Sequence, residues 1–343
     1  MPTTLITGSS GFVGSTVLAQ LLQHGHRVIA TVRSQRSADG MLSAHPEWKD
    51  VLIFSVVPDF TKPGAFDTVF KEYPEIDYVI HVAAPLLDDP ANTDFVEHFE
   101  KPSVLGNSGL LTSAHTLGKN VKAIAITGSL NAITTGAAED VSSRVLGNDQ
   151  WLPLDREDAI KLQNSFISYC VGKKVAEKTV WKFVEEKKPS FTVTNFMPPL
   201  IFGPMVQKVS SLDRLNFSTN QIYSIMNSAK DNGKVPATVF PGSIDVRDLA
   251  EMHIAALTNP AAANKRFVVG QPMSFDEIAD HLRKIPELKE RVGENSGIVG
   301  PVPRFGVDEA IEVFGDLGRG RPKGETFTDT AKQLLELERA MKK

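Results

Sequence analysis

The chain has 343 residues, with 37 Lys and Arg against 41 Asp and Glu, for a formal net charge of −4. This length predicts two domains or one large α/β domain with an appended part, and the mild acidity lacks the basic field of a nucleic-acid binder. The single cysteine, Cys170, excludes an internal disulfide and a thiolate metal cluster. No apolar run reaches the roughly 18 residues of a membrane span, and residues 1–14 lead directly into a strand and glycines, so the expectation is a cytoplasmic protein with no membrane, metal or nucleic-acid partner.

In chain order, short apolar or β-branched runs predict strands at Thr4–Thr7, Arg27–Val32, Val51–Val57, Tyr78–Val82, Val121–Thr127, Phe191–Phe196 and Arg266–Val269. Amphipathic stretches predict helices at Phe12–His24, Gly64–Tyr73, Thr93–Leu117, Ser168–Glu186 and Arg247–Leu257. Alternation of this kind predicts an α/β fold, a Rossmann-type doubly wound parallel sheet with right-handed crossovers. The alternation breaks after Phe196, and the later Pro and Gly concentrate in 199–243 and 271–343. The expected domains are therefore 1–198 plus 244–270, and a smaller, mainly helical C-terminal substrate lobe of 199–243 plus 271–343. The terminal run Asp329–Lys343 reads as a charged amphipathic helix with a solvated face.

The first predicted strand runs into Gly8-Ser9-Ser10-Gly11-Phe12-Val13-Gly14 and then a helix. Glycine at these points permits a tight turn and lets backbone N–H groups approach a pyrophosphate at the helix N-terminus. After the second strand an NAD site carries an acid for the ribose 2′-OH. Here the run is Thr31-Val32-Arg33-Ser34-Gln35-Arg36, with no acid before Asp39. Arg33 and Arg36 suit a 2′-phosphate instead, which favours NADPH.

Tyr169 and Lys173 stand four residues apart on one helix face, which continues through Ala176, Val180 and Phe183. A nearby ammonium favours the phenolate, so Lys173 is expected to lower the Tyr169 pKa and make it a general acid for carbonyl reduction. Ser129 follows the fifth strand, at a carboxyl end where open α/β sheets bind ligands, and its hydroxyl can donate to a carbonyl oxygen. His81 ends an apolar strand and reads as a satisfied core histidine. Cys170 reads as a small packing residue.

Together these residues resemble the extended branch of the short-chain dehydrogenase/reductase superfamily. The likeness extends to Val56-Val57-Pro58-Asp59, His81-Val82-Ala83-Ala84-Pro85, Phe202-Gly203-Pro204 and Ile244-Asp245-Val246-Arg247-Asp248. It is nearest to fungal NADPH-dependent aldehyde and ketone (methylglyoxal-type) reductases and to dihydroflavonol reductases. The resemblance implies that Gly8, Ser9, Gly11, Phe12, Val13 and Gly14 cradle the pyrophosphate, and that Arg33 and Arg36 hold the 2′-phosphate. Asp59 and Phe60 would meet the adenine, and Ala83, Pro198, Ile201 and Ser218 would lie along the rest of NADPH. Tyr169 would donate the proton, Lys173 would bond the nicotinamide ribose, and Ser129 would orient the carbonyl of a small-molecule substrate. Leu86, Leu130 and Leu200 replace aromatic residues around the substrate and imply an aliphatic pocket. The protein would act as a monomer or homodimer.

Two departures stand out. The relay position behind the lysine falls on Leu105, and Asn107 lies about 200° further round the helix, so the relay is expected to pass through water. Ser37 stands where a basic residue supports the 2′-phosphate. The rival readings are a nucleotide-sugar epimerase or dehydratase that retains NAD, and a non-catalytic NADP-binding regulator.

Overall fold

The computed structural model describes residues 1–84, 91–136, 144–238, 240–299 and 302–341. It divides into two compact units, Met1–Thr135 with Asn148–Met197 and Ala250–Phe267, and Gly136–Gly147 with Pro198–Leu249 and Val268–Lys343.

In the first unit, seven strands form one sheet: β1 (Thr3–Thr7), β2 (Arg27–Val32), β3 (Leu52–Val56), β4 (Tyr78–His81), β5 (Ala123–Thr127), β6 (Thr192–Met197) and β7 (Lys265–Val268). All seven predicted strands are present, each within two residues of its expected bounds. Their order is β7-β6-β5-β4-β1-β2-β3, and the pairs from β6 through β3 are parallel. Residues of β1, β2 and β5 are buried almost throughout, as continuous apolar strands require when helices cover both faces. The order reverses direction between β1 and β4, and that reversal opens a crevice at the carboxyl ends of these two strands.

The helices are α1 (Phe12–Gln23), α2 (Gln35–Ala44), α3 (Asp67–Glu72), α4 (Lys101–Leu117), α5 (Arg156–Leu162) and α6 (Ser165–Lys187). Two of them escape the periodicity argument. Only Ala38 of α2 is buried, so the helix shows no apolar stripe and rests on its Ser34 cap, whose Oγ accepts from Ser37 N. Helix α5 is short and held by a reciprocal capping box between Asp155 and Asp158. The helix expected over Thr93–Leu117 is broken by a π-helical turn, Val96–Glu100, before α4. Pro102 follows within the first turn of α4, where its missing N–H is tolerated.

Helix α6 is tied to β7 by a buried ion pair. Arg266 Nε lies 2.8 Å from Glu177 Oε1 and Nη2 lies 3.0 Å from Oε2. Trp181 Nε1 also donates to Glu177, and the Arg266 guanidinium stacks 3.7 Å above the centre of the Trp151 ring. Burial pushes the Glu177 carboxyl upward, while Arg266, Trp181 and Asn195 pull it back.

The second unit holds two small parallel pairs, Leu200–Phe202 with Ser243–Asp245 and Val145–Leu146 with Arg304–Phe305. Residues 145–146 and 243–245 thus find their backbone partners within this unit. Helices Phe217–Met226, Phe275–Leu282 and Lys323–Met341 pack on one another. The terminal helix starts earlier than expected and is not simply solvated. It buries Phe327, Ala331, Leu334 and Leu335, with Phe327 edge-on to Phe202 at 5.6 Å between ring centres. In the Ile244–Asp248 motif, Arg247 pairs with Asp245 and Asp329, and Asp248 pairs with Arg321. No helix among the described residues is long and apolar enough to cross a membrane.

Replacing Arg266 by Ala leaves the Glu177 charge buried without its partner and should cost about 3–5 kcal/mol. Urea unfolding measures this, and the double replacement Arg266→Met with Glu177→Gln should recover most of the loss. An unchanged midpoint in Arg266→Ala would show that the pair does not hold α6.

Candidate active site

The loop after β1 is packed too tightly for any residue but glycine at two points. Gly8 has φ +71°, and a Cβ there would lie 2.8 Å from Ala83 N in the loop after β4. A Cβ on Gly14 would meet Gly8 O at 2.1 Å. The chain therefore turns sharply, Gly11 N donates to Gly8 O, and α1 begins with no side-chain cap over its first N–H groups. This bare helix start is a built anion cradle, which fits the pyrophosphate of a dinucleotide. Ser9 anchors this loop through its side chain. Its fully buried side chain donates to Thr31 C=O and fastens the loop to β2. Phe12 and Val13 are part-buried in the first turn of α1.

Arg33 and Arg36 are exposed at the start of α2. Asp59 accepts from Thr61 N at 2.9 Å and from Thr61 Oγ1 at 2.6 Å. These bonds hold its carboxyl below the usual range, helped by nearby Lys62 and Arg33. Arg33 and Asp59 thus share the mouth of the crevice, and the adjacent Phe60 lines a cavity within it.

Ser129 sits one residue beyond Gly128, where a Cβ would collide with Asn195 Nδ2 at 2.6 Å and Phe196 O at 2.9 Å. This close fit delivers Ser129 to the carboxyl end of β5. There its Oγ accepts from Asn131 N and caps the short turn Leu130–Ala132. Leu130 is buried. On α6, the apolar face through Ala176, Val180 and Phe183 is buried as expected, and it places Tyr169 and Lys173 side by side. Lys173 Nζ stands 5.4 Å from the centre of the Tyr169 ring, and the Ser129 hydroxyl is near enough to Tyr169 to favour its ionised form. The three residues meet within the first unit.

Their electrostatics differ from expectation. Burial, reinforced by Cys170, pushes the Tyr169 phenol up to about 12, and the neighbouring Ser129 hydroxyl only partly offsets this. Burial likewise pushes the Lys173 amine down to about 8. Desolvation penalises both charged forms and outweighs the attraction between ammonium and phenolate. Tyr169 therefore stays a neutral proton donor across the physiological range.

The relay position also moves. Leu105 is 40% exposed, whereas Asn107 faces inward and lines a cavity with Lys173, His81, Glu177 and Asn195. Asn107 Nδ2 donates to Ala176 C=O at 3.0 Å. The residue behind the lysine is therefore Asn107. Sequence reasoning also missed Glu177, although its spacing from Lys173 repeats the interval between Tyr169 and Lys173.

Three predicted positions belong to the Pro198–Leu249 segment of the second unit: Pro198, buried, and Leu200 and Ile201, part-buried. Ser218, in the same unit, donates its hydroxyl to Ile201 C=O. Leu86 lies outside the described residues.

The sequence pattern of the NAD dependent epimerase/dehydratase family matches residues 4–270. The chain is similar to an NADPH-dependent methylglyoxal reductase of Saccharomyces cerevisiae, at 29% identity over 349 residues, covering 97% of this chain and 98% of the other. A ketoreductase of Aspergillus niger is 32% identical over 333 residues, covering 95% and 93%. The structure resembles the crystal structure of yeast methylglyoxal/isovaleraldehyde reductase complexed with NADPH, with a TM-score of 0.85, 27% identity and coverage of 98% and 99%.

Between pH 7 and about 10.5, Tyr169→Phe should titrate at 295 nm indistinguishably from the native protein, because a phenol held near 12 contributes no phenolate there. A missing phenolate signal in the variant would mean that Lys173 does prevail over burial. With the glycine cradle, the Ser129–Tyr169–Lys173 cluster and the match over residues 4–270 in agreement, the chain belongs to the NAD dependent epimerase/dehydratase family.

Proposed function

We propose that the chain is an NADPH-dependent carbonyl reductase that converts an aldehyde or ketone to the alcohol. The observation that carries this reading is the assembly of Ser129, Tyr169 and Lys173 beside one another, in the unit that also holds the glycine cradle. The similarity to NADPH-dependent reductases and a ketoreductase supports it over a nucleotide-sugar epimerase or dehydratase and over a non-catalytic regulator. Arg33, in place of the acid that a 2′-OH requires, points the same way.

In this reading Gly8, Gly11 and Gly14 hold the pyrophosphate, while Arg33 and Arg36 pair with the 2′-phosphate. Asp59, Phe60 and Ala83 border the adenine and ribose. NADPH, when bound, supplies the hydride for the carbonyl carbon. The Ser129 hydroxyl donates to the carbonyl oxygen and fixes its direction. Tyr169 Oη then delivers its proton to that oxygen. The alkoxide forming there is a stronger base than the phenolate, so transfer runs downhill even from a phenol near 12. The Lys173 ammonium stabilises the phenolate left behind. The second unit's candidates, Pro198, Leu200, Ile201 and Ser218, enter this reading on the resemblance alone, as do Leu86 and Leu130. The reading includes a cytoplasmic location, which a single cysteine fits, and action as a monomer or homodimer.

Tyr169→Phe should lower turnover about a hundred- to ten-thousand-fold while NADPH binding, followed by nucleotide fluorescence, stays nearly unchanged. The assay is NADPH consumption against aldehydes, α-diketones, β-keto esters and a dihydroflavonol. Full activity in the variant would refute the mechanism. Arg33→Ala should reduce the NADPH-over-NADH ratio of kcat/KM by about tenfold, the worth of one charge-assisted phosphate contact. An intact ratio would assign the preference elsewhere.

A further inference from the structure

Strands β1 and β4 pair with Thr7 opposite His81. The Thr7 hydroxyl lies 2.7 Å from His81 Nδ1 and 3.2 Å from the backbone N–H groups of both Val82 and Ala83. A hydroxyl offers one donor and two acceptor positions. The two amides occupy both acceptor positions, so the Thr7 proton points at His81 Nδ1. Neutral His81 therefore carries its own proton on Nε2. That atom is buried and makes no direct hydrogen bond, and Asn195 Nδ2 is in the same condition. Both side chains are at most 2% exposed.

Both residues line a cavity of about 30 Å³ together with Lys173, Asn107 and Glu177, enough space for one or two waters. Asn107 turns its amide nitrogen to Ala176 C=O, which leaves its Oδ1 for the His81 side. A buried N–H donor without a partner costs about 1–3 kcal/mol, and a polar cavity with several convergent partners is where an ordered water resolves that cost.

We propose that His81 is a positioning residue for Lys173: its Nε2–H holds an ordered water in this cavity, and the water, shared with Asn107, accepts from the Lys173 ammonium and keeps it beneath Tyr169. The inference rests on the carbonyl-reductase reading for its effect on turnover but not for the water site itself. The charged groups facing the cavity are Lys173 and Glu177, the latter paired with Arg266. His81 stays neutral because burial and the Lys173 charge push it down to about 4, against the pull of Asn107.

Two measurements test this. In the cofactor-free protein, nitrogen-15 NMR of His81 should show the Nε2–H tautomer, no titration above about pH 5, and cross-relaxation from that proton to bound water. An Nδ1–H tautomer, titration near the ordinary histidine value, or no water contact overturns the site, whether or not the protein reduces carbonyls. In the reductase assay, His81→Phe keeps the ring shape and removes the donor. Turnover should fall about tenfold with little change in KM, and the alkaline limb of the pH profile, set by Lys173 near 8 in the native protein, should move to lower pH. His81→Gln, which returns an N–H at similar reach, should restore most of both. Native behaviour in the Phe variant, or equal loss in both variants, overturns the positioning role. If none of the carbonyls drives NADPH consumption by the native protein while the NMR result holds, the function reading fails and the water site stands.

Discussion

The architecture of the site depends on the parallel pairing of β1 with β4. That pairing places the two strand ends side by side at the point where the sheet order reverses, and the loops beyond them meet so closely that Gly8 has no space for a Cβ against Ala83. Thr7 secures the junction, since one hydroxyl ties both amides of the β4 loop and the His81 ring to β1. The phosphate cradle on one side and the lysine cavity on the other are both consequences of this approach. A bulkier turn would separate the strands and open both.

The second organising element is α6. Its residues at four-residue intervals, Tyr169, Lys173 and Glu177, line up along the sheet, and each is held by a different device. Tyr169 meets Ser129 from the end of β5, Lys173 faces the polar cavity, and Glu177 is clamped by Arg266 and Trp181. Burial costs each of them something. It raises the phenol, lowers the amine and raises the carboxyl. Only at Glu177 does a full opposite charge stand close enough to offset part of the cost, so that pair serves as an anchor, while Tyr169 keeps its proton and the Lys173 amine is held down at about 8. A proton donor poised against an alkoxide needs this inequality, because a phenol already ionised by its neighbour would have nothing to give.

Glycines recur wherever backbone must approach backbone or side chain. Gly128 lets β5 turn past Asn195, and Gly172 lets α6 come within 3.2 Å of Phe99 as measured from an added Cβ. These contacts set the distance between Ser129 and Tyr169 as firmly as the two residues themselves do.

The sequence by itself determined the seven strands, the glycine turn, the missing acid after β2, and the Ser129, Tyr169 and Lys173 set. Each of these is a local pattern, since a buried strand, a tight turn or a helical interval of four residues leaves its mark within a few positions. Tertiary structure decided what depends on distant partners. Helix α4 packs so that Asn107 faces the lysine cavity while Leu105 faces solvent. Ser243–Asp245 pairs with Leu200–Phe202, about 40 residues earlier, and the Arg266 that faces Glu177 lies 89 residues away. Desolvation reversed the expected sign at Tyr169. The same burial turned His81 from an ordinary core histidine into a donor facing a cavity, because the free energy of a charge or a proton is set by everything packed around it and not by its neighbours in the chain.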